Sequence, residues 1–190
     1  MAKAVAQRGF ARDRVLEAAH ALFKENGIDG TSLQMIADRL GVNKSAVYYQ
    51  FHSKDEIVLA IVHPVFDDIN RVTRIADALS APGARREAAV SGLVELAVRH
   101  RTITALFYDP AAERAARSRA EFMNTYENLM ALLQGPDPRD VDRVAMAVLL
   151  NGLFGAATDP DITNVSDESL HDILLSCARR LLDVVVAPVI

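Results

Sequence analysis

Apolar residues recur along this chain at the three-to-four-residue spacing of buried helix faces. The first such stripe consists of Val15, Ala18, Ala19, Leu22 and Phe23, at positions that share one side of a helix. No alternating stretch of useful length predicts a strand, and no internal repeat is visible. The pattern predicts an all-α fold with helices over about 10–26, 33–40, 44–51, 54–79, 84–101, 102–108, 110–133, 138–157 and 167–186.

Capping residues and glycine mark the ends of the first three helices. Gly27 ends the first helix, and either Thr31 or Ser32 caps the second. Thr31 and Gln34 also have the spacing of a capping box. Asn43 is the expected N-cap of the third helix.

Proline and acidic residues mark the later helices. Ser53 and Glu56 have the spacing of a second capping box. Pro64 lies inside the fourth helix, where its missing N–H predicts a kink or a break. The pairs Asp109–Pro110 and Asp137–Pro138 are each typical of an N-cap followed by proline in the first turn.

The first three helices have the lengths and spacing of a tri-helical helix-turn-helix, with Gly41 in the turn. The rest of the third helix is polar, cationic or phenolic, which suits a surface that enters a major groove. We therefore expect a helix-turn-helix DNA-binding domain over 1–55, joined to a larger helical domain over 56–190. The predicted core of the smaller domain is Phe23, Ile36, Leu40, Val42, Val47 and Phe51.

Charge is unevenly distributed, although the formal net charge of the chain is −4. Residues 1–54 carry 8 Lys and Arg against 5 Asp and Glu, whereas residues 55–190 carry 13 against 20. A basic N-terminal segment on an acidic body is typical of a two-part DNA-binding protein.

Composition narrows the class of protein further. The single cysteine, Cys177, excludes an internal disulfide and fits a reducing cytoplasm. No apolar run approaches the roughly 18–20 residues that a membrane helix needs, and no secretory signal is visible. We expect a cytoplasmic protein that does not contact the membrane.

Residues 31–51, TSLQMIADRLGVNKSAVYYQF, and the following HSKDEI strongly resemble the DNA-binding signature of the TetR/AcrR family. The spacing of Tyr48, Phe51 and Lys54 is specific to that signature. The resemblance covers roughly residues 10–60, about a third of the chain. The remainder is similar to the family only in length and helicity. It implies a homodimeric transcriptional regulator with operator DNA as its partner.

The resemblance also implies roles for individual residues in the turn and the third helix. Thr31 and Ser32 are similar to the hydroxyls that hold a backbone phosphate at the start of the second helix. Lys44 and Ser45 open the third helix and are candidates to contact base edges, because lysine suits the guanine acceptors. Gln50 is a further candidate for a base or a phosphate.

Three more residues have implied DNA contacts and an alternative interpretation each. Tyr48 matches a tyrosine that contacts a phosphate or a thymine methyl. Tyr49 matches the aromatic residue next to it, which contacts the DNA backbone. Either tyrosine could instead pack half-buried on the first helix. Lys54 matches a phosphate-binding lysine, and the alternative is a solvated lysine beside the charges of Asp55 and Glu56.

The larger domain is expected to hold a ligand between its helices. Its aromatic residues and methionines suit an apolar or aromatic small-molecule effector. The alternative is that these side chains form plain core. The candidate ligand contacts are Phe107, Phe122, Met123, Tyr126 and Met130.

Two apolar stripes near 138–157 and 167–186 predict the homodimer interface. Pairing with a symmetry mate would bury both stripes in a four-helix seam. The alternative is that both face only the core of their own domain. The stripes are Val141, Val144, Ala145, Val148, Leu149, Gly152 and Ala156, and Leu170, Ile173, Leu174, Cys177, Ala178, Leu181 and Val185.

These features predict a repressor that binds a palindromic operator as a dimer and is released by a small-molecule effector, with Pro64 as the bend that couples the domains. Activation instead of repression stays open. An enzyme is not expected, because no HExxH, P-loop or glycine-rich phosphate motif is present. Two ligands, His63 and Asp67, are too few for a metal site, and a redox role for Cys177 is weakly supported. No cofactor is predicted.

Overall fold

The structure is a computed structural model that describes residues 2–135 and 137–186, with side chains from residue 11 to residue 182. The described residues contain no strand, which confirms the predicted all-α fold. Short 3-10 segments cover Ala105–Tyr108 and Pro160–Ile162. The helices are α1 Ala2–Asn26, α2 Leu33–Leu40, α3 Lys44–Gln50, α4 Lys54–Asp77, α5 Pro82–Arg99, α6 Arg101–Thr104, α7 Pro110–Arg117, α8 Ala120–Gln134, α9 Asp140–Thr158 and α10 Asp167–Val186.

The predicted single helix over 110–133 is wrong, because the chain forms α7 and α8 with a turn between them. Ser118 ends α7. Its hydroxyl donates to the carbonyl of Ala115 at 2.7 Å, and its N–H is shared between the carbonyls of Arg114 and Ala115. A serine that bonds locally in this way competes with the helical ladder. The predicted start of this segment, with Asp109 as N-cap and Pro110 in the first turn, is confirmed.

The start of α9 also differs from the prediction. Asp137 and Pro138 do not cap this helix, whose N-cap is Arg139. The Asp142 carboxylate accepts the backbone N–H of Arg139 at 2.9 Å and also its guanidinium, at 2.9 and 3.0 Å. This local ion pair fixes the helix start two residues beyond the predicted cap.

Pro64 does not break α4, which is one continuous helix from Lys54 to Asp77. The predicted N-cap is confirmed, since the Ser53 hydroxyl accepts the N–H of Glu56 at 3.1 Å. The Glu56 carboxylate reaches back to the N–H of His52 at 2.8 Å, one residue earlier than a capping box requires.

The chain divides into two compact units, and the first comprises residues 1–64 and 106–119. Its fully buried side chains include Ile28, Ile36, Val47 and Phe51. Val42 was predicted to belong to this core and is 39% exposed instead, because it lies in the turn after Gly41 where helical periodicity does not apply.

The second unit comprises residues 65–105 and 120–190. Among its fully buried side chains are Val90, Leu93, Leu133 and Met146. Helices α4 and α5 approach each other so closely at Gly92 that a Cβ there would lie 2.5 Å from a methyl carbon of Val72.

Candidate nucleic-acid interface

A three-residue turn joins α2 to α3. Gly41 adopts a left-handed conformation, with φ of 66°, and its N–H bonds to the carbonyl of Asp38 at 3.1 Å. The N–H of Val42 bonds to the carbonyl of Ala37 at 3.0 Å. The Asn43 side chain accepts the N–H of Ala46 at 2.8 Å, which confirms Asn43 as the N-cap of α3. These bonds fix the direction in which α3 leaves the turn.

One side of α3 is anchored and the other faces solvent. Val47 and Phe51 are fully buried, whereas Tyr48 is 52% exposed and Tyr49 is 68% exposed. Tyr49 is therefore more exposed than the alternative of half-buried packing on α1 requires, whereas Tyr48 is about half covered. The Tyr48 ring contacts the ring of exposed His52 edge to face, with centroids 5.1 Å apart.

Lys44 and Ser45 lie exposed in the first turn of α3, where the sequence predicts base contacts. The Ser45 hydroxyl donates to Asn43 Oδ1 at 2.8 Å, so it shares the acceptor that caps the helix. A hydroxyl oxygen held in this way keeps its own lone pairs available to a donor. Together with Tyr48 and Tyr49, these residues form the exposed face of α3.

The two hydroxyls before α2 have different environments. Ser32 is exposed and is the N-cap, because its Oγ accepts the N–H of Met35 at 3.2 Å. Thr31 is buried, and its hydroxyl donates to the carbonyls of Leu22 and Gly27. The predicted capping box of Thr31 and Gln34 is wrong, since the Gln34 side chain donates to Asp38.

Lys54 opens α4 and turns its ammonium group back onto the loop between α1 and α2. Its Nζ donates to the carbonyls of Ile28 at 2.6 Å, Thr31 at 3.1 Å and Asp29 at 3.3 Å. The ammonium has three N–H donors, and these carbonyls match that number. Lys54 therefore holds the loop before α2 and is not the solvated lysine of the alternative interpretation.

Arg12 and Arg39 each make further contacts that stabilise the helix-turn-helix, and the sequence did not predict them. The Arg12 guanidinium lies 3.9 Å from the Phe51 ring centroid and donates to the Gln50 carbonyl at 3.0 Å. Arg39 forms two hydrogen bonds to Glu25, which lower the pKa of that carboxyl. The partners lie 14 to 39 residues apart, so no local spacing signals them.

The five predicted ligand contacts occupy different environments. Phe122 is buried and its ring contacts Phe66 edge to face at 4.3 Å. Met123, Met130 and Phe107 are half-buried, whereas Tyr126 is 51% exposed. Their ligand role stays a prediction.

The second unit contains an open cleft of about 1100 Å³ between α4, the start of α5 and α8. None of the five predicted ligand contacts lines it. We call it the arginine cleft, after Arg71, Arg74, Arg85 and Arg86. Its other lining residues are Asp67, Asn70, Thr73, Asp77, Pro82, Asn128, Ala131, Leu132 and Gly135.

The two stripes predicted for dimerisation each combine two helix faces. On α9, Ala145 and Leu149 are buried within the unit, whereas Val144 is 62% exposed and Val148 is 55% exposed. On α10, the buried members are Leu170, Leu174 and Ala178, and the exposed members are Ile173 and Cys177. Val185 lies outside the described side chains. Each helix thus has an apolar face left uncovered in the single chain.

Three other predictions concern metal binding, the cysteine and the membrane. No group of three or more His, Cys, Asp or Glu in the described parts of the chain is placed to hold a metal ion. The single cysteine, Cys177, is exposed. Contrary to expectation, α9 has the length and composition of a membrane span, a property that core helices of soluble proteins share.

Comparisons with known proteins show what this helix-turn-helix is similar to. The family model of bacterial regulatory proteins, tetR family, matches residues 15–61, from α1 into α4. The chain is also 27% identical to the probable HTH-type transcriptional regulator ArpR of Pseudomonas putida. That alignment spans 164 residues, 76% of this chain and 78% of the relative. These matches together support a TetR family transcriptional regulator.

The chain is also similar to other regulators, over different lengths. It is 38% identical to IcaR of Staphylococcus aureus, a negative transcriptional regulator of the biofilm operon icaADBC, over 61 residues that cover 32% of this chain and 33% of IcaR. NalD of Pseudomonas aeruginosa, the secondary repressor of the MexAB-OprM efflux pump, aligns with a TM-score of 0.68 at 22% identity. That alignment covers 92% of this chain and 96% of NalD, and it concerns the fold.

Proposed function

We propose that this TetR family regulator is a repressor that binds a palindromic operator as a homodimer and is released by a small-molecule effector. The observation that carries the proposal is the exposed face of α3. It presents a lysine, a serine and two tyrosines on a helix whose opposite side is anchored by Val47 and Phe51. IcaR is a negative regulator and NalD is a repressor, which supports repression of transcription rather than activation.

In this proposal, residues 1–55 form the DNA-binding domain and α3 enters the major groove. Lys44 and Ser45 contact base edges, and Tyr48 contacts a phosphate or a thymine methyl. Tyr49 contacts the backbone of the DNA. The exposure of all four side chains supports these roles.

Residues around the start of α2 complete the proposed phosphate contacts. Ser32 is exposed at a helix N-terminus, which suits a phosphate. Thr31 and Lys54 are also proposed to contact a phosphate of the DNA backbone. Their polar groups, however, already donate to backbone carbonyls of the protein. A phosphate contact from either side chain requires the loss or sharing of one of those bonds, so their main contribution is to position the loop.

Residues 56–190 form the proposed effector-binding and dimerisation domain. The exposed apolar residues Val144, Val148 and Ile173 support a two-fold interface through α9 and α10. Such a dimer suits half-sites about one turn, ~34 Å, apart. Burial of the exposed face of α9 in this interface accounts for its apolar composition without a membrane. Phe107, Phe122, Met123, Tyr126 and Met130 remain the proposed contacts for an apolar or aromatic effector.

The proposal includes a mechanism and a place of action. An effector that favours one arrangement of the helices changes the spacing of the two α3 helices and lowers operator affinity. Pro64 removes one backbone hydrogen bond from α4 and is the proposed bend. The protein acts in the cytoplasm, without a cofactor and without catalysis.

The proposal is tested by selecting bound genomic fragments with the purified full chain and measuring fluorescence anisotropy on the enriched site across a salt series. We expect a palindromic site, an affinity that falls steeply with salt, and a large loss in Lys44→Ala. Lys24→Ala is the matched control, because Lys24 is an exposed lysine of α1 outside the α3 face. The proposal fails if no site is enriched, or if the affinity for DNA changes neither with salt nor in Lys44→Ala. Either result would mean that the helix-turn-helix does not bind DNA.

A further inference from the structure

The arginine cleft has a charge opposite to that of the unit that contains it. Four arginines line the cleft against two aspartates, Asp67 and Asp77. The unit as a whole, residues 65–105 and 120–190, carries 10 Lys and Arg against 16 Asp and Glu. A concave site of one sign focuses the electrostatic potential and attracts ions of the other sign.

Three of the four arginines form no ion pair with another residue in the described parts of the chain. Arg71 pairs with Asp68 at 3.1 Å. Among the described residues, no ion pair within 4.0 Å forms at Arg74, Arg85 or Arg86, although the charge of Arg86 helps to lower the pKa of Asp142. The Nε of Arg85 donates to the Leu79 carbonyl at 2.6 Å, which positions that guanidinium while its terminal nitrogens keep further donors.

The start of α5 adds a second, independent observation. Its N-cap residue, Ala81, makes no side-chain capping bond, and the first turn contains no acidic residue. Arg85 and Arg86 instead place two positive charges near the positive end of the helix dipole, where anions are favoured. Basic residues here depart from the usual preference for acidic residues at the start of a helix, and such departures are expected at functional sites.

The remaining lining residues indicate the kind of anion. Pro82, Ala131 and Leu132 supply apolar surface, and Asn70 and Asn128 supply amides. Planar guanidinium groups match carboxylates and phosphates through paired hydrogen bonds. The cleft therefore suits an acidic group attached to an apolar or aromatic body better than it suits an uncharged molecule.

We propose that the arginine cleft binds a small organic anion through Arg74, Arg85 and Arg86, and that this anion acts as an effector at a site separate from the five proposed apolar contacts. The effector assignment rests on the proposed ligand-responsive function, whereas the binding site does not. The acidic group lies between the start of α5 and α4, and the body lies along α8. This occupant would pair with Arg74, Arg85 and Arg86, the three arginines of the cleft that form no ion pair with the described residues.

The first test uses two fluorescent probes that differ mainly in charge: 8-anilinonaphthalene-1-sulfonate and the uncharged N-phenyl-1-naphthylamine. Each is titrated into the full chain, with inorganic phosphate as competitor. We expect Arg85→Gln with Arg86→Gln to weaken sulfonate binding about tenfold or more, and the uncharged probe to be unaffected. Arg99→Gln is the control, because Arg99 lies on α5 outside the cleft. Equal affinities for both probes, or sulfonate binding that ignores the double substitution, would overturn the site.

The second test asks whether the anion is an effector. Operator fragments from the selection experiment are titrated with the chain in the presence and absence of the sulfonate probe. We expect the probe to weaken operator binding by the full chain but not by the Arg85→Gln, Arg86→Gln variant, which still binds the operator. Anion binding that leaves operator affinity unchanged overturns the effector assignment. Failure of the proposed regulator would appear differently, as no operator binding at all, and the probe titrations would still decide the site.

Discussion

The side chain of Asp109 accepts a hydrogen bond from the backbone N–H of Ile28 at 3.1 Å, across 81 residues of sequence. Its second carboxylate oxygen accepts the N–H of Ala111 at 2.8 Å and caps α7. One carboxylate thus joins the start of α7 to the turn that precedes α2. The carbonyl of the same Ile28 accepts the Lys54 ammonium, so this turn is held on both sides.

Replacing Asp109 by Ala is expected to lower the free energy of unfolding by about 1–3 kcal/mol. The change removes a helix cap and leaves the Ile28 N–H without its acceptor, and each effect is destabilising. Chemical denaturation followed by circular dichroism measures the loss. Asp29→Ala is the control, since Asp29 is exposed and its ion pairs with Arg114 and Lys54 span 3.4 and 3.9 Å. Equal stability of the two variants would show that the Asp109 bond does not hold the turn.

The helix-turn-helix was largely predictable from sequence because its signals are local. The bounds of α2, the cap at Asn43 and the buried positions Val47 and Phe51 follow from spacing within one or two turns. The contacts of Asp109 with Ile28 and of Arg12 with Gln50 were not predictable. A backbone carbonyl or N–H carries no residue-specific signal, so sequence does not reveal which distant side chain it will meet.

Lys44 and Lys54 are expected to respond differently to substitution. Lys54→Met leaves three carbonyls without the ammonium, and we expect it to lower the free energy of unfolding by about 1–2 kcal/mol. Lys44→Ala changes an exposed side chain and is expected to alter stability by less than about 0.5 kcal/mol. It reduces operator affinity and lowers the salt slope by about 1 if Lys44 contacts a phosphate, or relaxes base preference if it reads a guanine.

A different result for Lys54 would contradict its role in holding the loop. A Lys54→Met variant with unchanged stability and a salt slope lower by about 1 would mean that its ammonium leaves the carbonyls for a phosphate. Urea denaturation and anisotropy on the same preparations separate the two roles.

The candidate dimer surface shows where helical periodicity fails. An apolar stripe spaced at three and four residues was predicted on α9, but Leu149 belongs to the core of its unit and Val148 to the exposed face. Spacing alone does not separate two adjoining apolar faces of one helix. The arginine cleft was missed for a related reason, since its walls come from helices that are distant in sequence.

Val148→Arg is expected to convert the proposed dimer into a monomer. The two-fold axis brings this face of α9 against its copy, so each dimer would bury two unpaired guanidinium groups. We expect the dimer dissociation constant to rise about a hundredfold or more. Analytical ultracentrifugation across a concentration series measures it. Ile75→Arg is the matched control, because Ile75 is 59% exposed on α4, away from the proposed interface. If Val148→Arg stays dimeric, the interface lies elsewhere.

The stability of α9 is expected to depend on pH through Asp142. Its hydrogen bonds to Arg139 lower the pKa of this carboxyl to about 2, below the roughly 3.9 of an unfolded aspartate. The stabilisation is therefore complete above the unfolded pKa and is lost as pH falls towards 2. We expect Asp142→Asn to melt at lower temperature than the unmodified chain at pH 7, and the gap to narrow below about pH 4. Asp140→Asn, whose partner Arg143 is exposed, should show a smaller gap. A gap for Asp142→Asn that is constant from pH 7 to pH 3 would contradict the ion-pair explanation.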